Sequence, residues 1–472
     1  MEIIGREYET GVLNNMYLSD KSQFVAVYGR RRVGKTYLVR HFFGNRFAFE
    51  HTGLANASLR DQLKNFEFSL RNAGLKKFPK IFNWLDAFQY IKNLMLSRPE
   101  NEKKVIFIDE LPWLDTPRSG FVTALEHFWN GWAAHRNDIL FIVCGSSTSW
   151  MLNKLINNKG GLHNRISCRI KISPFTIVEC RKYLHSRKIY WTDYDTAEAY
   201  MALGGIPYYW SLLQNGLSVS QNIEILFFQN NGGLRNEFPN LYAALFTSSE
   251  KYVKIIEALS KKRIGLVRNE LIKAIGESSG GGLTSMLNDL ENCDFIRSYV
   301  PLGQKLRDRI YQLTDFYSSF YFHFLEDKSN FSDNYWISLT DSTIHRAWAG
   351  FSFEMLCLLH APQLKKALGI SGIRTNEYAW RSKNAADGVQ IDLLIDRNDH
   401  VINLCEMKFS LNKFNIDKAY AESLRRKIGV FKDETKTTKS IFLTMITSFG
   451  LKPNEYANMV QNALSLDALF EL

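Results

Sequence analysis

Phe24-Val25-Ala26-Val27-Tyr28, running directly into Gly29-Arg30-Arg31-Arg32-Val33-Gly34-Lys35-Thr36, decides how the first part of this chain folds. The apolar run reads as a short strand buried on both faces. The residues after it match G-x-x-x-x-G-K-[ST] in full, between that strand and a helix expected to run through Val39. Glycines at the loop ends let backbone N–H groups curl around phosphates, and the helix N-terminus adds a favourable dipole. Lys35 is then placed to reach the β and γ phosphates, and Thr36 to offer its hydroxyl to magnesium. Arg30, Arg31, Arg32 and Val33 fill the variable positions of the loop. The three arginines are there either to touch phosphate or nucleic acid, or because such positions tolerate almost any residue.

Working outward, Val105-Ile106-Phe107-Ile108 is a second buried strand ending in Asp109-Glu110. Asp109 suits a magnesium ion held through water, and Glu110 suits polarising the attacking water. Ile139 to Val143 makes a third strand, followed by Cys144-Gly145-Ser146-Ser147. Two readings fit Ser146: a side chain beside the γ-phosphate that reports its loss, or a helix cap. Arg165 likewise reads either as an arginine finger on the nucleotide of a neighbouring copy, in a homo-oligomer, or as a surface arginine. Trp84 to Ser97 and Phe121 to Ala134 have helical apolar spacing. Strands alternating with helices predict a parallel sheet covered on both faces. The cofactors this pattern calls for are ATP and magnesium.

Composition sets the wider limits. A chain of 472 residues is too long for one ordinary core. With 45% hydrophobic and 23% charged residues it falls in the globular range, not the disordered one. No apolar run approaches the roughly 20 residues that span a bilayer. The start, Met1-Glu2-Ile3-Ile4-Gly5-Arg6-Glu7, lacks the layout of a signal peptide, so a cytoplasmic protein without a membrane partner is expected. The cysteines (Cys144, Cys168, Cys180, Cys293, Cys357, Cys405) never form a C-x-x-C pair and read as buried thiols. A net charge of +11 suits a polyanionic partner such as DNA. There is no internal repeat, low-complexity tract or heptad run.

After Gly204-Gly205-Ile206-Pro207 the pattern turns helical, and Gln229-Asn230-Asn231-Gly232-Gly233 reads as a linker. Helices are expected from Tyr252 to Leu259, Arg268 to Ile275 and Leu283 to Asn292. Phe295 to Val300 and Arg309 to Leu313 then pair as a hairpin. Three helices and a wing describe a winged helix-turn-helix, with Lys305, Arg307 and Arg309 near phosphates. The third helix is poor in basic residues, so the module reads equally as an inter-domain hinge.

Late in the chain, Gln390 to Ile395 and Val401 to Phe409 read as paired strands carrying Asp392, Glu406 and Lys408. Alternation puts Glu406 and Lys408 on one face, and a hairpin brings Asp392 beside them. Charges in so apolar a sheet are costly unless paired or metal-bound. Asp392 and Glu406 suit a hard divalent cation, and Lys408 suits orienting water or neutralising a phosphate. Glu354 is the lone acid on the apolar helix Phe351 to Leu356. Arg381, Lys383 and Lys413 flank the strands, either to hold a nucleic-acid backbone or as solvated residues.

The GRRRVGKT loop, the FIDELPWL and CGSS strand ends and the GGIPYYW segment together resemble the archaeal-type ATPase family of AAA+/STAND-like P-loop NTPases. The order Glu354, Asp392, Glu406-Met407-Lys408 resembles the PD-(D/E)XK restriction-endonuclease-like superfamily, with Ile391 in place of the usual proline. The resemblance implies an α/β fold: a P-loop ATPase core at 1–175, a helical lid at 176–230, a winged helix at 250–315 and a nuclease-like α/β domain at 340–472. It also implies metal-dependent phosphodiesterase chemistry at Glu354, Asp392, Glu406 and Lys408. Two functions follow: an ATPase that controls a DNA-cutting domain, or a signalling or scaffold ATPase whose last domain binds a partner or DNA without cutting.

Overall fold

The computed structural model describes residues 3–75, 80–100, 102–158, 160–246, 248–276, 280–326, 331–382 and 388–471. Lys383 lies outside the described residues. Backbone packing separates two compact units, Met1–Ser173 and Pro174–Leu472.

The first unit is α/β, around β1 (Gln23–Tyr28), β2 (Phe47–Thr52), β3 (Lys104–Asp109), β4 (Ile139–Gly145) and β5 (Cys168–Lys171). All pair in parallel, in the order β2-β3-β4-β1-β5. Every residue of β3 and β4 is buried, as expected for central parallel strands with both faces covered. The helices Leu59–Asn72, Trp84–Leu96 and Phe121–Gly131 supply an aromatic cover in which Phe66, Trp84, Phe88 and Phe121 meet edge to face or tilted. The helix expected to reach Ala134 stops at Gly131 and continues as a single tight turn over Ala133–His135.

The second unit is built on two sheets. The smaller sheet holds β6 (Leu266–Val267), β7 (Ile296–Tyr299) and β8 (Ile310–Leu313), in the order β6-β8-β7 and antiparallel throughout. The helices Ser249–Ser260, Arg268–Ile275 and Gly281–Asn292 accompany it. Strand β6 was not expected, because two residues carry no readable period. The stretch expected as a linker is a hydrogen-bonded turn, closed by Gly232 N–H to Gln229 C=O at 3.0 Å and Leu234 N–H to Leu226 C=O at 3.0 Å.

The larger sheet holds β9 (Thr375–Arg381), β10 (Gln390–Arg397), β11 (Val401–Lys408), β12 (Ser440–Thr447) and β13 (Asn462–Ser465), in the order β13-β12-β11-β10-β9. Its β9-β10-β11 part is antiparallel, and β12 and β13 join in parallel. One face packs Ile391, Leu394, Leu404 and Leu443 against Ala421, Leu424 and Phe431 of the helix Lys418–Thr435. The other long helix, Thr343–Leu359, starts at Ser342, whose hydroxyl caps it by accepting from His345 N–H at 3.2 Å. Among the described residues no helix is long and apolar enough to cross a membrane.

Candidate functional sites

The loop after β1 is shaped by glycine. Gly29 has φ +144°, and a Cβ there would lie 2.3 Å from the Ile172 carbonyl oxygen, so no larger residue fits beside the backbone. Gly34, at φ +91°, ends the loop at the N-terminus of the helix Lys35–Phe43. Arg32 also adopts a left-handed backbone, at φ 70°. Val33 and Lys35 are buried, Arg31 is exposed and Arg30 is only 1% exposed. That burial removes Arg30 from the residues available to nucleic acid in this conformation.

The polar side chains around the loop are already organised. Lys35 Nζ donates to the Arg30 carbonyl at 2.8 Å, which holds the ammonium over the loop where a phosphate would attract it. Thr36 Oγ1 donates to Asp109 Oδ2 at 2.8 Å, joining the loop to the end of β3. A hydroxyl and a carboxylate at that spacing are the oxygen donors magnesium favours. Glu110 follows with φ 48°, a left-handed backbone uncommon outside glycine. Its Oε2 accepts from Ser146 Oγ at 2.8 Å and from Ser146 N–H at 3.3 Å. Ser146 therefore grips the carboxylate that would face the attacking water. Ser147 makes no side-chain cap for the short helix behind it. Arg165 is exposed on the turn 161–165.

The Ser146 contact gives a direct prediction. Ser146→Ala leaves only the backbone N–H to orient Glu110, and losing a hydrogen bond to a charged group costs about 1.5–3 kcal/mol. ATP turnover should fall about 10- to 100-fold with the KM for ATP little changed, because the bond orients the acid without holding nucleotide. Steady-state hydrolysis at the wild-type rate would remove Ser146 from the machinery.

The second group of expected residues meets on the larger sheet. The β10–β11 register pairs Leu393 with Cys405, so Asp392 comes level with Glu406 one residue beyond. Between Ile391 and Leu394 the β9–β10 register shifts, and this bulge holds Asp392. Bulges re-aim side chains, and this one departs from the strict alternation assumed from the sequence. Glu354, from the helix Thr343–Leu359, has its carboxyl pushed up to about 7. Burial is the main cause and Asp392 and Glu406 add to it, while Lys408 and Arg263 oppose it. The four groups are therefore electrostatic neighbours.

Glu406 is held by residues that the sequence did not single out. Lys427 forms an ion pair with Glu406 Oε1, and Tyr420 OH donates to Oε2 at 3.3 Å. Burial first, and then Glu406, raises the Tyr420 hydroxyl far above its usual range. The Lys408 ammonium lies over the Tyr420 ring, 5.4 Å from its centroid. Tyr420 and Lys427 are one heptad apart on the helix Lys418–Thr435, hence on one face, and that spacing was the available signal. Asp392 Oδ1 accepts from Gln390 Nε2 at 2.5 Å.

These residues suit a magnesium ion in kind. They are carboxylates, and their mutual repulsion, visible at Glu354, is what a dication relieves. Among the described residues no group of three or more His, Cys, Asp or Glu side chains is placed to hold a metal ion. Magnesium commonly takes one or two carboxylates and fills its remaining positions with water and phosphate oxygens.

Lys305 and Arg307 are exposed and Arg309 is partly buried. The helix Gly281–Asn292 carries Asp289 and Glu291 and no Lys or Arg. Arg381 is exposed on β9, and Lys413 lies exposed after β11.

Comparison with known proteins bears on the first unit most directly. Residues 4–213 match the family described as an ATPase domain predominantly from Archaea. An uncharacterized protein of Methanocaldococcus jannaschii is 24% identical over 433 residues, covering 90% of this chain and 91% of its own. Among solved structures, a Walker-type ATPase of Pyrococcus abyssi is 17% identical with a TM-score of 0.47, covering 68% of this chain and 96% of that one. The Aeropyrum pernix ORC2 protein, in ADPNP–ADP complexes, is 14% identical with a TM-score of 0.41, covering 68% and 92%. Residues 4–213 are thus similar to an archaeal-type ATPase domain.

Proposed function

We propose that this protein hydrolyses ATP at the loop Gly29–Thr36 and uses nucleotide state to control a divalent-metal-dependent DNA nuclease centre at Glu354, Asp392, Glu406 and Lys408. The observation that carries the nuclease part is that Asp392, Glu406 and Lys408 stand on adjoining strands while all three act on the buried Glu354 carboxyl. Carboxylates placed to repel one another are costly unless a cation offsets the repulsion. In this reading 1–175 is the ATPase core, 176–230 its lid, 250–315 a winged helix and 340–472 the nuclease-like domain.

At the ATPase site Lys35 binds the β and γ phosphates, Thr36 and Asp109 hold magnesium, and Glu110 orients the water under the control of Ser146. Arg165, exposed, serves the nucleotide of a neighbouring copy. At the nuclease site Asp392 and Glu406 would hold the metal. When bound, the ion lowers the pKa of water and offsets phosphate charge. Lys427 and Tyr420 fix the Glu406 carboxylate, Glu354 tunes the local charge, and Lys408 stabilises the phosphate. Hydrolysis forms a bond from the water oxygen to phosphorus and breaks one bridging P–O bond. The departing oxygen ends with a proton from that water.

A scaffold reading keeps one specific support. The helix Gly281–Asn292 offers no cation to DNA, so contact with the duplex would fall to other exposed cations of the module, such as Lys305 and Arg307. Nucleotide can control the nuclease only by binding its active arrangement more tightly than its inactive one. Cleavage by wild type with ATP, with ADP and with neither should therefore differ several-fold, and the dependence should vanish in Lys35→Ala. Equal cleavage in all three conditions rejects the control while leaving both activities possible.

A further inference from the structure

The carboxylates Glu354 and Asp392 do not open onto a flat face. They line a cavity of about 810 Å³ within the second unit, whose opposite wall is formed by the segment after the helix Ser249–Ser260 and by the residues from β8 to Phe322. Phe322, Trp348 and Phe351 line it, and Arg263 lies over the Phe351 ring. Arg426 and Lys427 also line it, and Arg263 is attracted by Glu354.

The wall over the carboxylates is anchored. Leu302, in the loop between β7 and β8, donates its N–H to the Ala379 carbonyl of β9 at 3.2 Å, and its side chain packs on the core of the larger sheet. Tyr299 OH donates to the Ile264 carbonyl at 2.8 Å, tying β7 to the segment that carries Arg263. Arg297 and Tyr299 of β7 both feel the Asp392 carboxylate. The small sheet is thus fastened beside Asp392, and the approach to the carboxylates is a lined chamber.

A chamber of this size takes a ligand of drug-like dimensions, roughly one or two nucleotides. Aromatic rings beside arginine and lysine are what unpaired bases and a single phosphate chain require, since stacking is indifferent to base identity.

We propose that the substrate of this centre is single-stranded DNA, a free strand or an unpaired end, admitted beside the partly exposed Phe322 and Phe351 with Arg263 on its backbone. The inference rests on the nuclease reading above and adds the substrate class to it. The hydrolysis is the one already written, with water as the only co-reactant.

The test supplies the full chain with magnesium or manganese and three labelled DNAs: a single strand, a blunt duplex, and the same duplex with an unpaired tail. The single strand and the tail should be cut at least about tenfold faster than the blunt duplex, the discrimination expected when stacking of unpaired bases is lost. Blunt duplex cut as fast as single strand overturns the proposal and leaves the nuclease reading standing. If nothing is cut, the nuclease reading fails, and anisotropy with a fluorescent oligothymidine decides the rest. Asp392→Asn protein should bind the single strand tighter than the duplex, and adding Phe351→Ala or Arg263→Ala should weaken that binding about tenfold. Equal affinity for both DNAs, or binding untouched by both added substitutions, rejects the chamber as the binding site. Circular dichroism and thermal melting of each variant separate lost contacts from lost folding.

Discussion

In Lys35→Ala, ATP affinity falls by about 100-fold or more and hydrolysis falls with it. The side chain is buried against its own loop, with Nζ 2.8 Å from the Arg30 carbonyl, a contact that phosphate oxygens would replace on binding. Two charge-assisted bonds to the β and γ phosphates at about 1.5–3 kcal/mol each amount to that factor or more. Because Lys35 ends in a single ammonium beyond a flexible stem, alanine leaves the glycine-shaped backbone and the helix N-terminus in place. Residual weak binding through those N–H groups is therefore expected. Calorimetry reads the change directly, and unchanged affinity would dismiss the loop as the nucleotide site.

The other large effect is expected at Asp392. Its carboxylate sits in a β-bulge level with Glu406, where the proposed nuclease reading puts a metal ligand. Asp392→Ala should lower metal-dependent cleavage by at least about 1,000-fold, since a bound ion contributes several kcal/mol to the transition state and each 1.36 kcal/mol is tenfold. Glu406→Ala should match it, and would also release Lys427 and Tyr420 from their shared partner. ATP hydrolysis should persist in both variants, because the nucleotide site belongs to the other compact unit. Lys408→Ala should impair cutting while metal binding survives, for an ammonium is not a ligand.

How much of this was legible beforehand follows from burial. The middles of strands β1, β3 and β4 are continuous apolar runs because both faces are covered, and the sequence shows them. Strand β2 reads Phe47-Ala48-Phe49-Glu50-His51-Thr52, and its Glu50 and His51 hide it. His51 enters the core neutral: burial drops its pKa to about 3, and its Nδ1 meets Ser69 Oγ at 2.8 Å. Edge strands β5, β9 and β13 are short or polar, so neither period nor propensity marks them.

The loop Gly29–Thr36 and the acids Asp109 and Glu110 are contiguous motifs, whereas the Ser146 grip on Glu110 needs three-dimensional register. In the second unit the order of Glu354, Asp392, Glu406 and Lys408 was readable. The bulge at Asp392 was not, because bulges leave no compositional mark. Arg263 and the aromatic chamber were invisible for the same kind of reason: they come from segments far apart in sequence that meet only in the folded unit.

One comparison tests the joined account most directly: magnesium- or manganese-dependent cutting of single-stranded and tailed DNA by wild type and Asp392→Ala, with ATP turnover followed in the same preparations. The account predicts that both proteins hydrolyse ATP at similar rates and that only wild type cuts. Wild-type protein that turns over ATP yet leaves every DNA intact, or Asp392→Ala protein that cuts as well as wild type, would contradict it.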